Sequence, residues 1–246
     1  MAAETTFTTA LELLEKSKRT RASTGIRDFD DILGGIEVKR SYLFYSNGGV
    51  LADLLALKIA VNSLLPLERG GLGGQAIIIA CSDYRSDRTI VDTYFIGECM
   101  KSAGLEPEEH FKRISIAGCY NLEQLKAASI MLTDQIEALK ARLVVLLQPV
   151  KLIKNWEDIK RLNGVLWRIR SICMERDAAF IATSKCSGRK VVLRIPVPIG
   201  TYFKHLFNFI IYLKRSKLPG YAYAYLVKHP LLPRIRRSFE VRLWGD

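Results

Sequence analysis

The chain has 246 residues, 49% hydrophobic and 25% charged, which suits one compact α/β domain with a substantial core and excludes a disordered or collagen-like polymer. No uncharged apolar run approaches the roughly 18 residues of a membrane span, and the start Met1-Ala-Ala-Glu-Thr-Thr lacks the basic and apolar regions of a secretory signal. The net charge of +12 is concentrated: from Lys185 to Asp246 there are 13 Lys/Arg against Glu240 and Asp246, whereas the preceding residues hold 24 against 23.

Such a one-sign field attracts a polyanion or an acidic protein surface; a solvated basic face without a ligand is the bland alternative. The five cysteines (Cys81, Cys99, Cys119, Cys173, Cys186) are odd in number and contain no C-x-x-C. They read as buried thiols in a reducing, cytoplasmic setting, with no disulfide frame and no metal site.

In chain order, the first 20 or so residues read as a helix-capable arm. Short apolar runs then mark strands at 42–46, 75–81, 112–117, 142–148 and 178–184, separated by helical stretches near 51–65, 88–104, 121–140 and 156–176. That alternation predicts a mainly parallel sheet flanked by helices, with strands buried on both faces. The third helix is the clearest, with Leu125, Leu132, Ile136 and Leu139 on one face and Asn121 with Gln124 resembling a capping box. After Lys185 the segments 190–195, 206–213, 221–228 and 238–244 leave no room for long helices, which predicts antiparallel strands at the C-terminal edge. Tyr221, Tyr223 and Tyr225 alternate with Ala222 and Ala224, so three tyrosines share a face. Packing that aromatic side on a neighbour is the commoner arrangement; base stacking is the alternative.

Residues 23–37 read STGIRDFDDILGGIE, residues 65–79 read LPLERGGLGGQAIII, and Pro198-Ile199-Gly200 closes a later block. In this order they resemble the ATPase core of the RecA/RadA recombinase family, most closely its archaeal and eukaryotic branch. The resemblance spans most of residues 7–213 and implies a RecA-like core over 23–246, preceded by an arm over 1–22. It departs from the family at Gly34-Gly35, where a third glycine is common.

The family's chemistry is missing. A phosphate-binding loop of the form G-x-x-x-x-G-K-[ST] needs glycines for close backbone approach, a Lys on the β/γ oxygens and a hydroxyl on Mg²⁺. Here Gly48 and Gly49 remain, but the Lys position falls on Leu51 or Ala52 and the hydroxyl position on Ala52 or Asp53. Leu147 stands where the resemblance expects the magnesium-organising acid, and Ser82 where it expects the catalytic glutamate, with Asp83 one residue beyond. No G-K-[ST] occurs elsewhere, and His110, His205 and His229 belong to no H-E-x-x-H. The expectation is a pseudo-ATPase with no ATP cofactor and no catalytic residue.

Phe7-Thr-Thr-Ala10 matches the family's F-x-x-A polymerisation motif in type and position, so Phe7 and Ala10 are expected to bind another RecA-fold core. The alternative is an amphipathic helix through Leu11, Leu13 and Leu14 that caps its own core. The family's two DNA-binding loops map to about 149–156 and 185–200. By that resemblance Lys151, Lys154, Lys185, Arg189, Lys190 and Arg194 are DNA-binding candidates, with single-stranded DNA preferred. The expected partners are thus a RadA-type recombinase or another paralog, and DNA, with no membrane. The competing readings are a DNA-dependent ATPase that still uses Gly48, Gly49 and Asp83, and a structural subunit of an obligate complex.

Overall fold

Runs that are apolar at every position, rather than at alternate ones, demand cover on both faces, and helices supply it. The computed structural model describes residues 20–47, 50–82, 91–186, 205–218, 220–231 and 238–242. The chain opens with β1 (Arg21–Ala22), α1 (Arg27–Leu33) and β2 (Ile36–Glu37), then β3 (Ser41–Ser46) and α2 (Val50–Ser63). Next come β4 (Gln75–Cys81), α3 (Thr93–Ser102), α4 (Pro107–His110), β5 (Ile114–Cys119), α5 (Leu122–Leu139), β6 (Ala141–Leu147), α6 (Trp156–Glu175) and β7 (Ala179–Lys185). Strands β8 (Phe209–Arg215), β9 (Tyr221–Lys228) and β10 (Ser238–Arg242) close the fold.

The main sheet has eight strands in the order β10-β9-β8-β3-β7-β6-β4-β5. All pairs from β8 to β5 are parallel; β9 pairs antiparallel with β8, and β10 with β9. Successive strand residues feed opposite layers. Tyr42, Phe44, Ile78, Leu143 and Val145 pack with α2 and α3, while Leu43, Tyr45, Ile77, Val144 and Leu146 pack with α5 and α6. The α/β fold with a mostly parallel sheet and antiparallel strands at one edge is therefore present.

One expectation is corrected. The segment read as a strand over 206–213 is a strand over Phe209–Arg215; it pairs antiparallel with β9, as expected of the C-terminal edge, but its other side pairs parallel with β3. Asn208 fixes that start: its side-chain oxygen accepts from the Ser41 N–H at 3.0 Å and from the Ser41 hydroxyl at 2.9 Å. The chain thus passes β3 between β7 and β8 before turning back into hairpins. The segment 190–195, the arm with Phe7 and Ala10, and Pro198-Ile199-Gly200 lie outside the described residues.

The block that opens with Ser23 is architectural. The Asp30 carboxylate accepts from the Ser23 hydroxyl at 2.5 Å and from the Thr24 N–H at 2.8 Å, tying the chain entry to α1. Gly25 (φ 75°) and Gly35 (φ 83°) sit in the left-handed region, and a Cβ on Gly35 would stand 2.6 Å from the Ala22 carbonyl oxygen across the β1–β2 pair. The α5 start is capped as its sequence suggests: the Asn121 side chain accepts from the Gln124 N–H at 2.8 Å. Among the described residues no helix is long and apolar enough to cross a membrane.

Candidate functional site

Ligands of parallel α/β sheets bind beyond the carboxyl ends of the strands. In this protein the ends of β3, β4, β6 and β7 meet the first turn of α2. Leu147, at the end of β6, is fully buried, as is Ala52, and Ser82 is 1% exposed just beyond β4. Leu51 is half-buried. None of these four presents a charge to the corner. Gly48, Gly49 and Asp83 lie outside the described residues.

The polar group that does occupy the corner is Asp53, in the first turn of α2. The Thr183 hydroxyl, on β7, donates to Asp53 Oδ1 at 2.5 Å. The Gln148 amide Nε2 donates to Asp53 Oδ1 at 2.9 Å and to Oδ2 at 3.0 Å. Thr183 Oγ1 in turn accepts from the Gln148 backbone N–H at 3.1 Å. Gln148 takes the left-handed conformation (φ 53°) as the chain leaves β6 for the short 3-10 turn Pro149–Leu152. Desolvation pushes the Asp53 carboxyl up to about 6, against the hydrogen bonds from Thr183 and Gln148 and the charge of Lys151.

This network uses the corner's hydrogen-bonding capacity internally. A carboxylate in the first turn of a helix meets the same positive dipole end that draws phosphate. Among the described residues, a phosphate at this corner would meet the Asp53 carboxylate and its hydrogen bonds to Thr183 and Gln148.

Beside the corner, Lys151 and Lys154 are exposed in the turn after β6, and Lys185 is exposed at the end of β7. The fold therefore brings three of the six DNA-binding candidates to one end of the sheet; Arg189, Lys190 and Arg194 lie outside the described residues. Sequence reasoning passed over Trp156, the first residue of α6, which is 82% exposed two residues after Lys154. It also passed over Gln148 and Thr183, which carry no motif.

A separate groove of about 270 Å³ lies between α5 and α6, lined by Leu122, Lys126, Val165 and Arg168 among others. Arg161 at its rim is ion-paired with Glu123 and with Asp158 at 3.6 Å. His110 and His229 make local contacts: the His110 ring meets the Glu106 carbonyl oxygen at 2.9 Å, and His229 packs edge-on against Phe209 at 4.9 Å. All five cysteines are free thiols, and among the described residues no cluster of His, Cys, Asp or Glu is placed to hold a metal. No protein-family model matches the chain.

Proposed function

We propose that this protein is a non-hydrolysing paralog of the RecA/RadA recombinases, a pseudo-ATPase that binds an active recombinase or another RecA-fold protein, and DNA, to assist recombination and repair. The observation that carries the reading is the Asp53–Thr183–Gln148 network, which puts an internal anion where a RecA-fold ATPase holds phosphate. Hydrogen bonds to charged groups contribute about 1.5–3 kcal/mol each. Absence of the loop Lys and hydroxyl, with a carboxylate in their place, thus removes affinity by orders of magnitude. The Phe7–Ala10 arm would dock on the partner's core; reciprocally, β5 ends the sheet among the described strands, with Ile116, Ala117 and Gly118 exposed along it, so a partner's arm can add a strand there.

The test has two arms. Calorimetric titration with a slowly hydrolysed ATP analogue and magnesium is expected to show no binding at millimolar ligand; micromolar affinity would promote the ATPase reading instead. Phe7→Glu and Ala10→Glu are each expected to abolish co-purification with a RadA-type recombinase from nuclease-treated extract. Retention equal to the unmodified chain removes the arm from the reading.

A further inference from the structure

On β9 the side chains are arranged against the usual sense of an α/β sheet. Ala222 and Ala224 are fully buried and belong to the core layer of α2 and α3. The tyrosines face the other way: Tyr221 and Tyr225 are half-buried, and Tyr223 is 36% exposed. Ala222, Ala224 and Leu226 pack on the α2–α3 side; on the other side Tyr225 packs against the α5–α6 core, and Tyr223 is the most exposed of the three tyrosines.

One ring of the row is held by other rings. Tyr225 lies opposite Tyr212 of β8 with ring centroids 5.7 Å apart, and Tyr212 lies 5.2 Å from Tyr45 of β3. The buried rings Tyr45 and Tyr212 therefore buttress Tyr225, at the core end of the tyrosine row. Along β9, alternate residues repeat at roughly 6.6–6.8 Å, which leaves space for a planar group beside each ring.

The charge around the row is positive. Lys214, exposed, is the register partner of Tyr223, and exposed Arg215 and Lys217 lead into the hairpin before β9. The β10 register sets Ser238, Glu240 and Arg242 opposite Tyr225, Tyr223 and Tyr221.

From this juxtaposition we infer that the tyrosine face of β9 is a stacking platform for single-stranded nucleic acid, with Tyr221 and Tyr223 taking bases and Lys214 a phosphate. The inference rests on the DNA-binding part of the reading above and moves its base contacts from the loops to the sheet. Unpaired bases have free π-faces to offer, whereas a duplex keeps its bases stacked on one another, so the platform selects single strands.

The experiment uses the full chain and a fluorescent oligo-dT of twenty nucleotides, titrated by anisotropy at several salt concentrations. Tyr221→Leu with Tyr223→Leu is expected to weaken binding by about 100-fold, tenfold for each ring, without changing the salt slope. The corresponding Phe pair is expected to bind as the unmodified chain does. Lys214→Ala is expected to lower the slope by about 0.7, the share of one phosphate contact on a single strand. Photocrosslinking of an iodouracil oligonucleotide to the unmodified chain, read by mass spectrometry, is expected to mark Tyr221 or Tyr223; it needs no variant to fold. Undiminished dT binding by the Leu pair, or crosslinks confined to the 149–156 and 185–200 loops, overturns the platform while leaving DNA binding intact. No binding of dT by the unmodified chain at low salt overturns the platform and the DNA-binding part together, leaving the recombinase contact to its own test. A change of oligomeric mass in the Leu pair with DNA binding unaltered makes the face a protein interface and overturns the inference as well.

Discussion

The corner at the start of α2 and the outer face of β9 solve opposite problems. At the corner, three polar side chains from distant parts of the chain satisfy one another, and little is left for a ligand to bind. On β9 Ala222 and Ala224 are fully buried, while the tyrosines beside them reach toward the surface, Tyr223 furthest. A polar site closed by its own hydrogen bonds resists an incoming anion, because every new contact must first break an old one. An aromatic row that is only half covered has no such debt. The comparison predicts that the two regions respond oppositely to substitution.

The largest effect is expected within β9 itself. Ala224→Asp puts an unpaired carboxylate into a fully buried position and should cost about 3–5 kcal/mol, lowering the melting temperature by roughly 10 °C. Its neighbour change Tyr223→Ser should cost no more than about 1 kcal/mol. Thermal and urea unfolding of both variants measure the contrast, and equal losses would show that the tyrosine side is core after all.

At the corner, Thr183→Val keeps the shape but removes one donor to Asp53 and the acceptor of the Gln148 N–H. The expected cost is about 1–3 kcal/mol, because polar partners are left unsatisfied. The same change should raise the Asp53 pKa further, since the Thr183 hydrogen bond lowers it. Urea denaturation across pH tests both halves, and a loss under about 0.5 kcal/mol would mean that the network does not hold the corner closed.

A smaller effect, of the opposite sign, is expected for Asp53→Asn. The folded-state pKa of about 6 lies above the unfolded value of 3.8, so the folded protein binds more protons between those limits. Stability contributed by Asp53 is therefore fully present below about pH 4 and is lost as pH rises through about 6. Asn has no charge to desolvate. The variant should be more stable by about 1–2 kcal/mol at pH 7–8, with the gain vanishing below pH 4. Stability curves measured between pH 4 and 8 decide it, and a pH-independent difference would remove the desolvation argument.

Legibility from sequence followed the physics of each element. The strand at 75–81 matches β4 at both ends, because the apolar run Ala76–Cys81 follows two glycines and Gln75 and is closed by Ser82. The run at 112–117 is displaced by two residues from β5. Its first residues, Lys112 and Arg113, close a short 3-10 turn, while the edge position lets Gly118 and Cys119 extend the ladder. The cap of α6 went unread because Asn155 and Asp158 form a full capping box without the Ser/Thr and Glu/Gln of the usual pattern. The antiparallel pairing of β8 with β9 was readable from the short connection between them, but the pairing of β8 with β3 was not, because it depends on the path of the chain past β3, which no local pattern encodes.

What the sequence determined by itself was the layer architecture, since burial on both faces leaves its mark in every uninterrupted apolar run. It also determined that no G-K-[ST] is present. Tertiary structure alone decided which polar groups meet at the start of α2. Asp53, Gln148 and Thr183 are up to 130 residues apart and come together only because β6 and β7 lie side by side next to α2. It also decided which side of β9 the tyrosines take. Alternation puts them on one face, but only packing against α2 and α3 makes the alanine face the interior one. Hydrogen bonding and burial between distant segments are properties of the folded arrangement, and one-dimensional order carries no direct trace of them.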